Sequence, residues 1–120
     1  MKRILVVDDV TTNLICAAEI LKDDYLVTKA KSARAALDSI KEVKPDLVLV
    51  DICMPEMDGF QLYDKMQENP YSAEIPVIFC TAESSKEVKE KGSRLGADCI
   101  RKPYSTENLR EAVKKVFEKQ

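Results

Sequence analysis

The sequence of 120 residues contains no histidine and no tryptophan, and it has only three glycines. Without histidine the chain cannot build a histidine metal site, a serine–histidine pair or a histidine general base, so any imidazole chemistry must come from another protein. Apolar residues make up 45% of the chain, but no uninterrupted apolar run approaches the ~20 residues of a membrane span. The net charge is −2 with both signs interspersed, which argues against a nucleic-acid surface. We therefore expect one cytoplasmic domain over residues 1–120, with neither a membrane nor a nucleic acid as direct partner.

The four cysteines are also informative through what they lack, because no two of them have the C-x-x-C spacing of a metal or redox motif. Two of them, Cys80 and Cys99, fall inside apolar runs that are typical of strands. We expect buried, reduced thiols at all four positions, which also include Cys16 and Cys53.

Short apolar runs alternate with segments of helical periodicity along the whole chain. Runs of this kind are typical of parallel strands buried on both faces. The pattern predicts strands over residues 3–8, 26–30, 46–50, 77–81 and 99–100, and helices over residues 12–22, 33–43, 60–68, 86–95 and 106–118. Five such strand–helix units predict a three-layer α/β/α fold with right-handed crossovers.

Local signals define the predicted helix ends. Thr11 or Thr12 is expected to cap the first helix, Ser32 the second and Ser105 the last. Gly96 is expected to stop the helix over residues 86–95.

Three carboxylates follow two of the predicted strands directly. Asp8 and Asp9 lie at the end of the first strand, and Asp51 comes directly after the third. Ligands collect at the carboxyl ends of strands in such sheets, so we expect the three groups to meet there. A lone Asp-Asp pair is most often a solvated turn, but Thr81 and Lys102 also lie at strand ends. Like charges held together favour a hard divalent cation, and Mg²⁺ prefers oxygen ligands of this kind.

Asp51 is the best nucleophile candidate, because it stands alone at the end of the central apolar run. A carboxylate can attack phosphorus and form an acyl phosphate. The Lys102 ammonium can bind one phosphoryl oxygen as a point charge, and the Thr81 hydroxyl can donate to another.

These residues resemble the receiver domain of a two-component response regulator over essentially the whole chain. The resemblance is carried by Val-Val-Asp-Asp at residues 6–9, by Leu-Val-Asp-Ile at 49–52 with Met-Pro-Glu-Met-Asp-Gly at 54–59, by Thr-Ala at 81–82 and by Lys-Pro at 102–103. Each fragment is weak alone, and in this order and spacing they are highly specific. The resemblance implies a flavodoxin-like (βα)5 fold with a parallel sheet of strand order 2-1-3-4-5.

The resemblance also implies roles for individual residues. Asp51 would accept a phosphoryl group from a sensor histidine kinase or a histidine phosphotransfer protein, or from a small donor by self-phosphorylation, with slow autophosphatase activity. Asp9, Asp51 and the backbone carbonyl of Cys53 would bind Mg²⁺, for which Mn²⁺ can substitute, and Asp8 would act mainly through a bound water. Thr81 and Lys102 would hold phosphoryl oxygens, and the Lys102–Pro103 peptide bond is expected to be cis.

Two positions depart from the family pattern. Cys99 replaces the usual aromatic residue three positions before the lysine, so the common threonine–aromatic coupling is in doubt. Cys53, two residues after Asp51, is expected to modulate water access to the phosphoryl group, as is Glu83. At Glu83, orientation of an attacking water and a plain solvated charge remain equally open. Tyr104 is expected to be a packing residue.

The resemblance implies that phosphorylation switches the surface formed by the fourth predicted helix, the fifth strand and the fifth predicted helix. That surface would meet a downstream protein target or output domain, and it allows a phosphorylation-dependent dimer. The chain is read either as a stand-alone receiver or as one domain of a larger regulator. The main alternative is a phosphorylation-independent receiver-like interaction module. A phosphatase with an aspartate nucleophile ranks lower because Cys53 stands where a second aspartate is needed, and a flavin protein ranks lower because Asp8 and Asp9 would repel a phosphate.

Overall fold

The computed structural model describes residues 1–82, 86–95 and 97–119. Five parallel strands form one sheet in the order β2-β1-β3-β4-β5, as predicted. The strands are β1 (Arg3–Val7), β2 (Leu26–Ala30), β3 (Leu47–Asp51), β4 (Val77–Thr81) and β5 (Asp98–Arg101). The helices are α1 (Thr11–Leu21), α2 (Ala33–Glu42), α3 (Gly59–Gln67), α4 (Pro70–Ala73), α5 (Lys86–Arg94) and α6 (Thr106–Glu118).

The sheet lies between two apolar clusters. Alternate residues of β3 point to opposite faces: Val48 and Val50 pack with the side of α2 and α3, and Leu47 and Leu49 with the side of α1 and α6. Every residue of β3 and β4 is buried, which explains their uninterrupted apolar sequences. The predicted edge position of the more polar β2 is confirmed. The carboxyl ends of β1, β3 and β4 therefore meet at a fixed edge.

The predicted cap of α1 is wrong. The N-cap residue is Val10, which has no side chain able to accept a hydrogen bond, so neither Thr11 nor Thr12 has this role. The backbone N–H of Val10 instead donates to Oδ1 of Asp8 at 3.0 Å, and this bond fixes the chain where it enters the helix. Ser32 and Ser105 are the caps of α2 and α6, as predicted.

The short helix α4 was not predicted and lies between the predicted helix over residues 60–68 and the predicted strand over residues 77–81. The Asn69 side chain accepts a hydrogen bond from the backbone N–H of Tyr71 at 2.9 Å, and Pro70 occupies the first turn, where its missing N–H costs nothing. Because α4 intervenes, the fourth and fifth predicted helices are α5 and α6.

The expectation of four buried thiols is wrong for three of them. Cys80 is buried, but Cys16, Cys53 and Cys99 are exposed, since α1, the loop after β3 and the edge strand β5 all face solvent there. Gly96 and Glu83 lie outside the described residues. Within the described ranges, no helix combines the length and the apolar character needed to cross a membrane.

Candidate phosphoryl and metal site

Three carboxylates converge at the carboxyl edge of the sheet. Asp8 and Asp9 follow β1 directly, and Asp51 is the last residue of β3. Ligand oxygens of the three side chains all lie within 4.8 Å of one another. Asp8 and Asp51 are only 4% and 8% exposed, whereas Asp9 is exposed. This edge of the sheet therefore holds one exposed and two buried carboxylates whose oxygens lie close together.

The backbone around Asp51 is held by a series of hydrogen bonds. The N–H of Ile52 donates to the carbonyl of Cys80 at 2.9 Å, and the N–H of Gly59 donates back to the carbonyl of Ile52 at 2.9 Å. The N–H of Cys53 donates to Oδ1 of Asp51 at 3.3 Å. A side chain at Gly59 would place its Cβ 2.8 Å from the backbone oxygen of Asp51, so only glycine permits this close return of the loop.

Lys102 brings a positive charge to the same point. Its Nζ lies 2.5 Å from Oδ2 of Asp8 and 3.5 Å from Oδ2 of Asp51. The residue follows β5, where its backbone N–H donates to the carbonyl of Thr81 at 2.8 Å, and its bond to Pro103 is cis, as predicted. The ion pair with Asp8 was not foreseen, because a long side chain at residue 102 could reach any group at this edge.

Burial and neighbouring charges act on both charged partners. Burial raises the pKa of Asp51 above its ordinary value, against the ammonium of Lys102, which lowers it. Burial by itself would lower the pKa of Lys102, but the hydrogen bond to Asp8 and the charge of Asp51 raise it overall. The surroundings therefore favour the charged form of Lys102 and disfavour the charged form of Asp51.

The other predicted site residues occupy different surroundings. Thr81 is buried at the end of β4, beside the end of β3, where Cys80 pairs with Asp51. Cys53 is exposed in the loop just after Asp51. Cys99 lies on β5, one strand farther from Asp51, and faces Gly92 of α5. Tyr104 packs against the apolar cluster on the side of α1 and α6, as predicted for a packing residue.

A small pocket next to Lys102 was missed by sequence reasoning. It has a volume of about 230 Å³ and lies between the start of α1 and the chain after β5. Cys16, on the exposed side of α1, could have indicated this pocket, but we expected its thiol to be buried. The lining residues are Asn13, Cys16, Ala82, Lys102, Pro103 and Tyr104.

The carboxylate cluster fits a hard divalent cation. All three side chains offer oxygen, the donor that Mg²⁺ prefers, and two of the three carboxylates are buried, where an uncompensated charge is expensive. Lys102 supplies only one positive charge to three carboxylates. A second cation at this point therefore relieves repulsion that the side chains leave in place.

Comparisons with known proteins show which family and fold the chain resembles. The family described as response regulator receiver domain matches residues 4–114. The chain is 39% identical over 111 residues to a probable cyclic di-GMP phosphodiesterase of Vibrio cholerae, covering 92% of this chain but only 25% of that protein. It is 35% identical over 119 residues to protein PilH of Pseudomonas aeruginosa, covering 98% of both chains. The solved structure of chemotaxis protein CheY4 of Vibrio cholerae superimposes with a TM-score of 0.90 at 29% identity, covering 97% of this chain and 98% of that one.

Proposed function

Because the chain belongs to the receiver domain family of two-component response regulators, we propose that Asp51 accepts a phosphoryl group from a histidine of a partner protein. The observation that carries this proposal is the convergence of two further carboxylates and one ammonium on Asp51. The donor would be a sensor histidine kinase or a histidine phosphotransfer protein, since this chain has no histidine of its own.

In the proposed reaction, one carboxylate oxygen of Asp51 attacks phosphorus while the phosphorus–nitrogen bond to the partner's imidazole breaks. The bonding electron pair leaves with the imidazole nitrogen, and an acyl phosphate forms on Asp51. Attack requires the ionised carboxylate, which Lys102 favours at 3.5 Å against the effect of burial.

Asp9, Asp51 and the carbonyl of Cys53 would bind Mg²⁺ or Mn²⁺, with Asp8 acting through a bound water. When bound, the ion supplies charge neutralisation for the phosphoryl oxygens. The Lys102 side chain can move its ammonium away from Asp8 to bind a phosphoryl oxygen on Asp51, because both carboxylates are already within its reach. Thr81 would donate its hydroxyl to another oxygen from the end of β4.

Loss of the phosphoryl group by hydrolysis depends on access of water to the acyl phosphate. Cys53 is exposed next to Asp51, so its side chain would control part of that access, together with Glu83. A thiol is a weak hydrogen-bonding group and holds an attacking water poorly.

The output would be a shift in the surface formed by α5, β5 and α6, which would bind a downstream protein target or output domain and support a phosphorylation-dependent dimer. We propose residues 1–120 as one receiver domain that works in the cytoplasm. The chain spans one quarter of the Vibrio cholerae phosphodiesterase, so receivers of this kind also occur joined to other domains.

The proposal is tested with a small acyl phosphate donor and Mg²⁺, followed by intact-mass analysis. We expect one acid-stable, base-labile phosphoryl adduct that Asp51→Asn abolishes. Asp64→Asn, on the exposed surface of α3, is the matched control and should label like the original chain. Absence of an adduct with saturating donor would favour the phosphorylation-independent interaction module, and an adduct that survives Asp51→Asn would place the acceptor elsewhere.

A further inference from the structure

Helix α5 is tied to α3 by two polar contacts with aromatic side chains. Nζ of Lys91 lies 4.5 Å from the ring centroid of Phe60, within the range of a cation–π interaction. The hydroxyl of Tyr63 donates to the carbonyl of Leu95 at 3.3 Å, at the C-terminal end of α5. We name this pair of contacts the α3–α5 link.

The α3 side of the link is fixed relative to Asp51. Phe60 follows Gly59, whose N–H is bonded to the carbonyl of Ile52 and whose Cα lies too close to the backbone of Asp51 to carry a side chain. The Phe60 ring is buried and packs on Phe79, with ring centroids 4.8 Å apart. A displacement of the backbone at Asp51 therefore displaces the Phe60 ring, because a close-packed interior transmits small shifts.

The second aromatic side chain shares the same support. The ring of Tyr63 lies 5.8 Å from that of Phe79, and Phe79 is fully buried beside Val50, the residue before Asp51. Both contacts of the α3–α5 link thus involve aromatic rings that pack on Phe79 of β4.

The contact of α5 with β5 is different in kind. A Cβ at Gly92 would lie 2.5 Å from Sγ of Cys99, so a glycine and a small thiol meet there. Neither group has a ring that could turn between two positions. This contact shows how closely α5 approaches β5, and it contains no aromatic ring of the kind that forms the α3–α5 link.

We propose that Phe60 and Tyr63 are positioning residues that report the state of Asp51 to α5 through the α3–α5 link. The proposal rests on the proposed function and specifies how that site is regulated. Phosphorylation shifts the loop between β3 and α3, Phe60 and Tyr63 move with it, and α5 changes its position or its exposure to solvent. Each contact is weak enough to exchange, and a two-state element responds to any ligand that distinguishes its states.

The experiment compares hydrogen exchange of the backbone amides at residues 90–95 in three full-length proteins. They are the original chain, the double variant Tyr63→Phe with Lys91→Met, and the control Lys44→Met with Tyr71→Phe. The double variant removes only a hydroxyl and a charge, so the core is kept. The control removes a similar cation–π pair, since Nζ of Lys44 lies 5.3 Å from the ring of Tyr71 on a different part of the surface. Each is measured alone and with Mg²⁺ and beryllofluoride as a phosphoryl mimic.

Without the mimic, we expect exchange at residues 90–95 to rise about threefold in the double variant only, as expected for loss of a weak contact. With the mimic, the original chain and the control should change their exchange there, and the double variant should show no more than about half of that change. A double variant that behaves like the control in either comparison overturns the proposal, as does an original chain that binds the mimic without a change at α5. Failure of the original chain to bind the mimic refutes the proposed function instead, and it is recognised separately by the absence of any effect at residues 51–53.

Discussion

Gly92→Ala should reveal how closely α5 approaches β5. The new Cβ would lie 2.5 Å from Sγ of Cys99, about 1 Å inside the ordinary contact distance of roughly 3.5–4.0 Å. Overpacking of this kind costs about 1–3 kcal/mol, while replacing glycine by alanine within a helix gains about 0.8–1.0 kcal/mol. We expect a net destabilisation of up to about 2 kcal/mol in the original background.

Removal of the Cys99 thiol should turn the destabilisation by Gly92→Ala into a stabilisation. In a Cys99→Ala background the clash is gone, so Gly92→Ala should stabilise the protein by up to about 1 kcal/mol through helix propensity alone. For 120 residues the entropy of unfolding is about 0.25 kcal/mol/K, so each kcal/mol moves Tm by about 4 °C.

The assay is thermal and urea unfolding of four proteins: the original chain, each single variant and the double variant. We expect a coupling free energy of about 1–3 kcal/mol between the two positions, because the Cβ and the Sγ compete for the same space. Changes in the free energy of unfolding that add within about 0.5 kcal/mol would refute the close contact.

Four further predictions follow from the caps, the thiols and the site. Ser105→Ala should lower the free energy of unfolding by about 1 kcal/mol, because its hydroxyl accepts the N–H of Asn108 at 3.0 Å, whereas Thr12→Ala at the start of α1 should change it little. Cys80 should resist alkylation in the native protein at pH 8, since it is 3% exposed and burial raises its pKa. Cys53→Asn should shorten the life of the phosphoryl adduct, since an amide holds an attacking water better than a thiol does. In metal-free protein, burial raises the pKa of the native Asp51 carboxyl, so its protonation stabilises the fold as pH falls from 7 toward about 4. Asp51→Asn removes this contribution, so the Tm of the original chain should rise relative to that of the variant over this pH range.

Each of these has a measurement that can contradict it. Equal unfolding free energies for Ser105→Ala and Thr12→Ala would contradict the claim that Ser105 caps its helix and Thr12 does not. Rapid alkylation of Cys80, followed by intact-mass analysis, would show that β4 opens easily. An unchanged adduct half-life in Cys53→Asn would show that this side chain does not control water access. An identical dependence of Tm on pH in Asp51→Asn would show that burial at Asp51 carries no cost.

Most element positions could be predicted because the apolar runs of β3 and β4 are buried on both faces, which leaves the sequence little freedom. The strand order came from the family resemblance and is confirmed by the structure. The carboxylate cluster could be predicted for the same reason, since Asp8 and Asp51 are fixed to strand ends and parallel strands end at one edge. Local start signals were less reliable. The Asp8 carboxylate accepts the N–H of Val10, two residues along the chain, and α1 begins directly after this bond, with neither threonine as its N-cap residue.

Side-chain pairing was the part that sequence could not supply. The Lys102 ammonium lies closer to Asp8, at 2.5 Å, than to Asp51, at 3.5 Å. Because the lysine side chain is long and flexible, its position in the sequence does not identify which carboxylate it pairs with. The contacts between α3 and α5 were hidden for a similar reason, because Phe60 and Tyr63 look like ordinary core residues at helical spacing. The exposure of three of the four thiols was missed because composition predicts average burial and cannot locate the open side of an edge strand.

The ion pair between Lys102 and Asp8 joins residues 94 positions apart in the sequence. During synthesis at about 5–20 residues per second, the carboxylates of β1 and β3 leave the ribosome well before their ammonium, Asp8 by about 5–20 s. A nascent chain that has reached Asp51 thus holds this carboxylate among like charges, while the ammonium that compensates them is still to be made. Under the function proposed above, Asp51 therefore gains its neighbouring ammonium only when the residue that follows β5 has been made.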